Sequence, residues 1–386
     1  MINTVRKYGY SAAILIFLSG FYFSPSTKAL NNTFYLLILA PFFIAIIQDR
    51  TLLFKVFKNH CLLLLLILIM LLSSVINGIS VTDLGHQLSR IIYISGFIGA
   101  LSLAALKDSD LSNKIISTII VISPIAACYS IYCWFSDGHS YLSRMTGWGV
   151  MDNPILLAST YAFAAITGLT TFLKGSKTKD YLLFLSFTPS ILILLLTQSR
   201  GPLLAFSITI IAAITFIYRN KRSALIFSLG LIIICFASLQ QTRIFSSDSN
   251  YRLEIWSVTL EKARQSPLLG LGLQESKKVS MNSNKHEKHL VFNHPHSIYL
   301  TTALHGGLFS LSVLLVMYAR SLIWNWQDES SHIWRLLLLF GLIYSIFEGG
   351  RIFTSTKEIW LIIWLPFAML LTPNLPVPTK KTDSTT

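Results

Sequence analysis

Residues 115–135 read IISTIIVISPIAACYSIYCWF, a largely apolar block of 21 residues that contains no charged side chain. About 20 helical residues cross the roughly 30 Å hydrocarbon layer of a bilayer. In lipid, backbone N–H and C=O groups must find partners within the segment itself, and a helix provides them. The block therefore predicts a helix that spans a membrane.

Blocks of the same kind follow one another on both sides of residues 115–135. Hydrophobic residues make up 53% of the chain, charged residues only 12%, and the mean hydropathy is +0.60, values that are atypical of a soluble fold. The alternating pattern of a membrane β-barrel is absent. We predict an all-α, polytopic integral membrane protein with about twelve transmembrane helices. The predicted spans are 8–24, 30–48, 61–76, 91–106, 115–135, 153–173, 181–197, 202–218, 224–240, 298–319, 333–348 and 358–373.

The basic residues between the blocks indicate which side each loop faces. With the N-terminus in the cytoplasm, sixteen Lys and Arg residues fall in cytoplasmic segments and six in the short loops opposite, as the positive-inside rule requires. These six are Lys28, Arg90, Arg144, Arg200, Arg351 and Lys357. The long polar loop 241–297 is then non-cytoplasmic, and its basic residues do not count because long loops translocate largely regardless of charge. Arg200, Arg252 and Arg351 lie outside the cytoplasm against this preference, and we therefore expect another role for them.

Composition also limits the domain organisation and the partners. We predict one domain, residues 1–373, and a disordered cytoplasmic tail, residues 374–386. The net charge of +14 lies in short clusters between apolar blocks, so nucleic acid is not a predicted partner. The four cysteines lie in or near apolar blocks and predict neither a disulfide framework nor thiol chemistry.

The first candidate element is the turn Thr197-Gln198-Ser199-Arg200-Gly201-Pro202 between two spans. Gly201 permits unusual backbone angles, and Pro202 can start the next helix. Arg200 would lie at the boundary of hydrocarbon and water, where its guanidinium can bind a phosphate with two hydrogen bonds. Alternatively, Arg200 only anchors a helix end at the interface.

The second element runs from Asn250 to Gly272 within the long loop. Apolar residues at helical spacing predict a helix of about 251–265, with Asn250 as N-cap and Pro267 beyond its end. Arg252 would fall in the first turn, where free backbone amides also attract anions. The alternative is a loop helix whose charges are simply solvated.

The third element is His294-Pro295-His296-Ser297, directly before the tenth predicted span. A histidine can take a proton from a sugar hydroxyl as that oxygen attacks. A metal site is a competing interpretation because His286 and His289 lie nearby, but the spacing matches no familiar zinc pattern and no metal is predicted. A purely structural histidine is also possible.

A fourth, weaker element is Glu348-Gly349-Gly350-Arg351 at the outer end of the eleventh span. Glu348 can pair with an arginine and hold it in position, and Arg351 can add positive charge to a phosphate site. The alternative interpretation is an ordinary helix end.

Together these elements resemble the bacterial O-antigen ligase family, within the superfamily of O-antigen ligases and polymerases. The resemblance covers most of the chain, and its specific part is residues 197–310. The matching motifs are Thr197 to Arg200, then Arg252 to Trp256 with Pro267 to Gly272, and finally His296-Ser297 with Gly307 ten residues beyond Ser297. Family members often carry a second glycine three residues after this one, where the present chain has Ser310.

The resemblance implies a membrane glycosyltransferase of GT-C-like type in the bacterial inner membrane, with its active site facing the periplasm. It would transfer a glycan from undecaprenyl diphosphate to a sugar hydroxyl of lipid A-core, by inversion and without a metal or other cofactor. His296 would activate the hydroxyl while Arg200 and Arg252 neutralise the diphosphate. Predicted substrate-binding residues, besides these two arginines, are Gln198, His294, Glu348 and Arg351.

Three other functions remain open from the sequence. A polysaccharide polymerase would use the same donor but extend another lipid-linked glycan, and a protein-glycosylating ligase belongs to the same superfamily. A lipid-linked glycan transporter can also have twelve spans, but it would more typically carry charges in mid-span and related halves. The His296-Ser297 pair favours the ligase over the polymerase.

Overall fold

A computed structural model describes residues 2–174, 180–217, 230, 248–273, 279–283, 288–292, 294–324 and 326–372. The described residues form helices joined by short turns, together with one small β-hairpin. The helices are α1 (Ile2–Phe23), α2 (Thr27–Gln48), α3 (Thr51–Phe57), α4 (Cys61–Ile76), α5 (Val81–Lys107), α6 (Leu111–Ser136), α7 (Pro154–Lys174), α8 (Asp180–Leu196), α9 (Arg200–Ile217), α10 (Asp248–Ala263), α11 (Ile298–Ile323), α12 (His332–Phe347) and α13 (Trp360–Leu371). The strands are β1 (Val279–Ser283) and β2 (Lys288–Phe292).

The helices confirm a helical, multi-pass membrane protein, but they do not confirm the count of twelve spans. Seven described helices are long and apolar enough to cross a bilayer, or up to eight if α3 and α4, which meet at 93°, form one broken span. Three shorter apolar helices, Gly9–Phe23, Ser186–Leu196 and Trp360–Leu371, coincide with further predicted spans. Nearly all of the predicted span 224–240 lies outside the described residues.

Helix α5 is much longer than the predicted span 91–106. It begins at Val81 because the Ser80 side chain accepts a hydrogen bond from the Asp83 N–H and caps the first turn. A hydropathy window misses this polar first part of the helix. Arg90, expected in a short loop, therefore lies inside α5.

The long loop also differs from its prediction in two details. Helix α10 begins at Asp248, so Asn250 is a helical residue and not the N-cap, and Arg252 is past the first turn. Strands β1 and β2 pair antiparallel, with Met281 opposite Leu290, which the all-α prediction did not include. Within this loop, residues 241–247, 274–278, 284–287 and 293 lie outside the described residues.

Helix α11 is broken at Gly307, and the motif Pro267 to Gly272 fills the break. Gly307 has φ +65° and ψ −168°, a backbone conformation that essentially only glycine adopts. The Leu308 N–H donates to the Pro267 carbonyl and the Leu271 N–H donates to the Leu304 carbonyl, both at 2.8 Å. The loop therefore supplies the backbone hydrogen bonds that a break in a membrane helix would leave unmade.

Ser310 stands where family members often carry a second glycine, and the structure accommodates the serine. Its side chain is buried against Gly306, where a Cβ would lie 2.5 Å from the Ser310 Cβ. The glycine at 306 thus leaves room for the larger residue at 310.

The core near the start of α13 is built from aromatic rings. The Trp360 ring centroid lies 4.8 Å from that of Phe34, 5.1 Å from that of Phe97 and 6.2 Å from that of Phe17, and all four side chains are buried. Such ring pairs add about 0.5–1.5 kcal/mol each beyond the area they bury. This packing holds α13 against α1, α2 and α5, and it fixes the end of the segment that joins α12 to α13.

The variant Gly307→Ala should lower the melting temperature sharply. A Cβ at this position would lie 2.6 Å from the Leu269 backbone nitrogen, and the strained backbone alone costs roughly 1–3 kcal/mol for a residue other than glycine. Gly85→Ala in α5 is the matched control because a Cβ there meets nothing within 4 Å. Thermal unfolding of the purified variants in detergent checks this, and equal melting temperatures would contradict the account of the break.

Candidate functional site

The histidine turn before α11 has a fixed and unusual backbone. Ser297 caps α11 through its hydroxyl, which accepts from the Leu300 N–H. His296 has φ +53°, a left-handed conformation that is uncommon for a residue other than glycine. The His296 N–H donates to His294 Nδ1 at 3.3 Å, and the two rings meet edge to face with centroids 4.4 Å apart. His294 thus holds the turn that presents the His296 ring.

Glu348 connects this turn to the loop helix α10. Its Oε2 lies 3.2 Å from His296 Nδ1, and its Oε1 accepts a hydrogen bond from Arg252. Arg252 also donates to the Phe347 carbonyl at 2.8 Å, the last residue of α12. The predicted pairing of Glu348 with an arginine is therefore present, and the partner is Arg252.

A second contact fastens α10 to the same turn. The Trp256 indole N–H donates to the Pro295 carbonyl at 3.0 Å. Arg252 and Trp256 are four residues apart and lie on the same face of α10, one turn from each other. The Arg252-to-Trp256 motif thus binds both sides of the site, namely the end of α12 and the histidine turn.

The electrostatics of the turn give the two histidines different roles. The pKa of His294 is lowered to about 4, mainly by burial and secondly by the neighbouring His296, while Glu348 acts in the opposite direction. His294 is therefore neutral at pH 7, which lets Nδ1 accept the His296 N–H. When the His296 Nδ1–H donates a hydrogen bond to Glu348, the imidazole keeps its proton on Nδ1, and the lone pair on Nε2 is left to act as a base.

The turn Thr197 to Arg200 is held by an arginine that the sequence analysis did not single out. Arg144 donates through Nε to the Thr197 carbonyl at 3.1 Å and through a terminal nitrogen to the Ser199 hydroxyl at 3.2 Å. Gln198 has φ +50°, and its side-chain amide donates to the Leu142 carbonyl. In the structure Gln198 fixes the turn, and it is not among the residues that line the cavity described below.

Arg200 begins α9 close to the same end of α12. A Cβ on the following residue, Gly201, would lie 3.2 Å from the Phe347 Cβ, so the two backbones are in close contact. Arg200 is exposed, while Arg252 reaches Phe347 from the loop. The start of α9 and the side chain of Arg252 thus both lie beside Phe347, the last residue of α12.

A cavity of about 590 Å³ opens beside Glu348, where the ends of several helices meet. Four of the predicted site residues line it, namely His294, His296, Glu348 and Arg351. Arg252 does not line it but contacts the lining residue Glu348, and Arg200 is not among the lining residues. Further lining residues are Arg90, Asn153, Ile155, Leu156, Tyr344, Gly349, Gly350, Phe353, Thr354, Ser355, Lys357, Glu358 and Ile359.

The lining adds two cations that sequence reasoning missed, Arg90 and Lys357. Both were counted only as basic residues on the outer side of the membrane, against the positive-inside bias. A basic residue outside the cytoplasm was the signal that singled out Arg200 and Arg351. The same signal could have identified Arg90, Lys357 and Arg144. A cavity with a histidine base and several cations can deprotonate a hydroxyl and stabilise an anionic leaving group.

No group of three or more His, Cys, Asp or Glu side chains that could hold a metal ion occurs within the described part of the chain. His286 lies outside the described residues, and the side chain of His289 in β2 is outside them as well. The expectation of a metal-free site therefore stays a prediction.

Comparisons with known proteins agree with the motifs. Residues 183–315 match a family model described as O-Antigen ligase, and they include the Thr197-to-Arg200 turn, α10 and the histidine turn. The chain is also 23% identical over 372 residues to an O-antigen ligase of Pseudomonas aeruginosa, covering 92% of this chain and 88% of that protein. The predicted resemblance to O-antigen ligases is confirmed.

We expect Arg252→Met and Glu348→Leu to be energetically coupled. The Glu348 side chain is only 8% exposed, so removing Arg252 leaves a mostly buried carboxylate with a single partner, whereas removing both charges avoids that cost. The double variant should be more stable than the sum of the single effects by roughly 1–2 kcal/mol. Thermal unfolding of all three variants measures this.

The control for this cycle is Arg264→Met, an exposed residue that follows α10 directly. Arg264→Met should show no coupling with Glu348→Leu. If the losses of unfolding free energy caused by Arg252→Met and Glu348→Leu add to that of the double variant within about 0.5 kcal/mol, the two residues are not coupled and the prediction is wrong.

Proposed function

We propose that this chain, which resembles O-antigen ligases over most of its length, transfers a glycan from undecaprenyl diphosphate to a sugar hydroxyl of lipid A-core. The observation that carries the proposal is the Glu348 carboxylate, which binds His296 Nδ1 on one side and Arg252 on the other. A carboxylate on Nδ1 orients the imidazole and leaves Nε2 as the base, as in other nucleophile-activating sites.

The reaction is a direct displacement at the anomeric carbon of the donor sugar. His296 Nε2 takes the proton from the acceptor hydroxyl as that oxygen forms its bond to the anomeric carbon. The bond from this carbon to the diphosphate oxygen breaks, and undecaprenyl diphosphate leaves with the electron pair. One inversion of configuration follows, and no metal or other cofactor takes part.

Cations stabilise the negative charge that develops on the leaving diphosphate. Arg351, Arg90 and Lys357 line the cavity, and Arg252 contacts the end of α12 beside it. Arg200 begins α9, whose next residue lies against that same end of α12. Arginine suits this role because its planar guanidinium binds phosphate oxygens with two parallel hydrogen bonds. Arg252 binds the diphosphate while Glu348 holds its guanidinium, so one carboxylate positions both the base and a phosphate ligand.

The membrane setting fits two lipid-borne substrates. The positive-inside bias puts the histidine turn and the Thr197-to-Arg200 turn on the non-cytoplasmic side, which is the periplasm for a protein of the bacterial inner membrane. Gln198 supports the diphosphate site by holding the turn that carries Arg200. The described helices do not carry the base in mid-span, which favours surface chemistry over transport.

The glycans of a deletion strain distinguish this function from its relatives. Loss of a ligase should leave long glycan chains on the lipid carrier and none on lipid A-core. Attachment of a single repeat unit instead would indicate a polymerase, and loss of protein-linked glycan would indicate a protein-glycosylating ligase. In a purified system, transfer should persist with a chelator present, and a strict requirement for added divalent metal would overturn the metal-free mechanism.

His296→Asn and Arg200→Ala should both abolish glycan attachment while the protein stays in the membrane. Removing a general base lowers the rate by roughly 10²–10⁴-fold, and asparagine tolerates the left-handed backbone at position 296. Complementation of the deletion strain, followed by gel analysis of its lipopolysaccharide, measures the effect. Arg264→Ala is the control that should behave as wild type, and normal attachment in both site variants would refute the site assignment.

A further inference from the structure

The segment between α12 and α13 carries two polar side chains that the mechanism above does not use. Thr354 and Glu358 both line the cavity beside His296. The Thr354 Oγ1 and Glu358 Oε2 atoms are enclosed and have no hydrogen-bond partner among the described residues. No other atom with these properties belongs to a residue that lines this cavity, again within the described part of the chain.

Enclosing a polar oxygen without a partner costs free energy, and most such atoms in proteins find one. Two such oxygens on residues of one segment that lines the cavity are therefore unused hydrogen-bonding groups, which a change of side-chain torsion can turn toward a ligand there. The last torsion of a glutamate side chain is broad, so either carboxyl oxygen can turn to a ligand. A third polar group, Asn153, uses its Oδ1 to accept from the Ile155 N–H at 2.8 Å, which leaves its NH₂ for the cavity.

The charges indicate which substrate meets this segment. The pKa of the Glu358 carboxyl is raised to about 7, mainly because the group is buried; Lys357 lowers it and the negative Glu348 adds a smaller increase. The Glu358 carboxyl therefore interacts electrostatically with the Glu348 carboxylate, which binds His296. An ionised carboxyl repels phosphate oxygens, whereas a carboxyl in either protonation state can bond to a neutral hydroxyl, so Glu358 suits a sugar and the cations of the same cavity suit the diphosphate. Beside the base, those hydroxyls belong to the acceptor sugar.

We propose that Thr354 and Glu358, assisted by the Asn153 amide, form a subsite that binds hydroxyl groups of the acceptor sugar. Sugar hydroxyls both donate and accept hydrogen bonds, as do a threonine hydroxyl and a protonated carboxyl. The subsite selects the acceptor and orients it, so that one hydroxyl faces His296 Nε2. This inference rests on the proposed transfer to a sugar hydroxyl.

The test uses the full-length protein in lipid nanodiscs, with lipid-linked glycan as donor and purified lipid A-core as acceptor. Glu358→Leu and Thr354→Val should each raise the KM for lipid A-core roughly tenfold, with the KM for the donor unchanged. The matched controls, Glu358→Gln and Thr354→Ser, keep a hydrogen-bonding group and should stay within about threefold of wild type. Melting temperatures show whether each variant is folded.

Binding of lipid A-core without donor gives a readout that does not depend on transfer. Wild type should bind lipid A-core roughly tenfold more tightly than Glu358→Leu or Thr354→Val, and about as tightly as Glu358→Gln. Unchanged acceptor binding and KM in both apolar variants would overturn the subsite, as would a change in the KM for the donor alone. If wild type itself transfers no glycan to lipid A-core, the proposed function fails, and the subsite with it.

Discussion

The shared carboxylate of Glu348 is the contact on which the rest of the site depends. It binds His296 Nδ1 and Arg252, and Arg252 in turn donates to the carbonyl that ends α12. The residues it joins come from a loop helix, a histidine turn and the end of a membrane helix. Because the Glu348 side chain is mostly buried, an unpaired charge there would be costly. The ion pair with Arg252 and the bond to His296 offset that cost, so both side chains stay on the carboxylate.

Two features of the loop keep this arrangement rigid. The Pro267-to-Gly272 motif completes the backbone hydrogen bonds of α11 at the break around Gly307. Trp256 then ties α10 to Pro295, directly before the reactive histidine. The loop is thus anchored to the helical bundle at both of these motifs, and a base placed on such an anchored turn needs little reorganisation during the reaction.

The sequence predicted the helical membrane fold, because that depends on local composition. Its motifs also contained His296 and Arg252, which contact the same carboxylate in the structure, whereas the sidedness and the roles of the site residues stay predictions. It did not predict what each side chain contacts. The Gln198 amide binds the Leu142 carbonyl, and Arg144 binds the same turn from a distant loop. Arg90 and Lys357 reach the cavity because the folded chain brings α5 beside the segment that joins α12 to α13. The early start of α5 and the β1–β2 hairpin depend on a cap and on strand pairing in a polar stretch, where hydropathy carries no signal.

The most direct measurement of the role of Glu348 is the rate of glycan transfer by Glu348→Gln in a purified system. Glutamine keeps the shape of the side chain but has neither the charge nor the second acceptor oxygen that orient His296 and Arg252. The account predicts a fall of roughly 100-fold or more in kcat, with a folded protein and unchanged binding of lipid A-core. A kcat equal to that of wild type would contradict it.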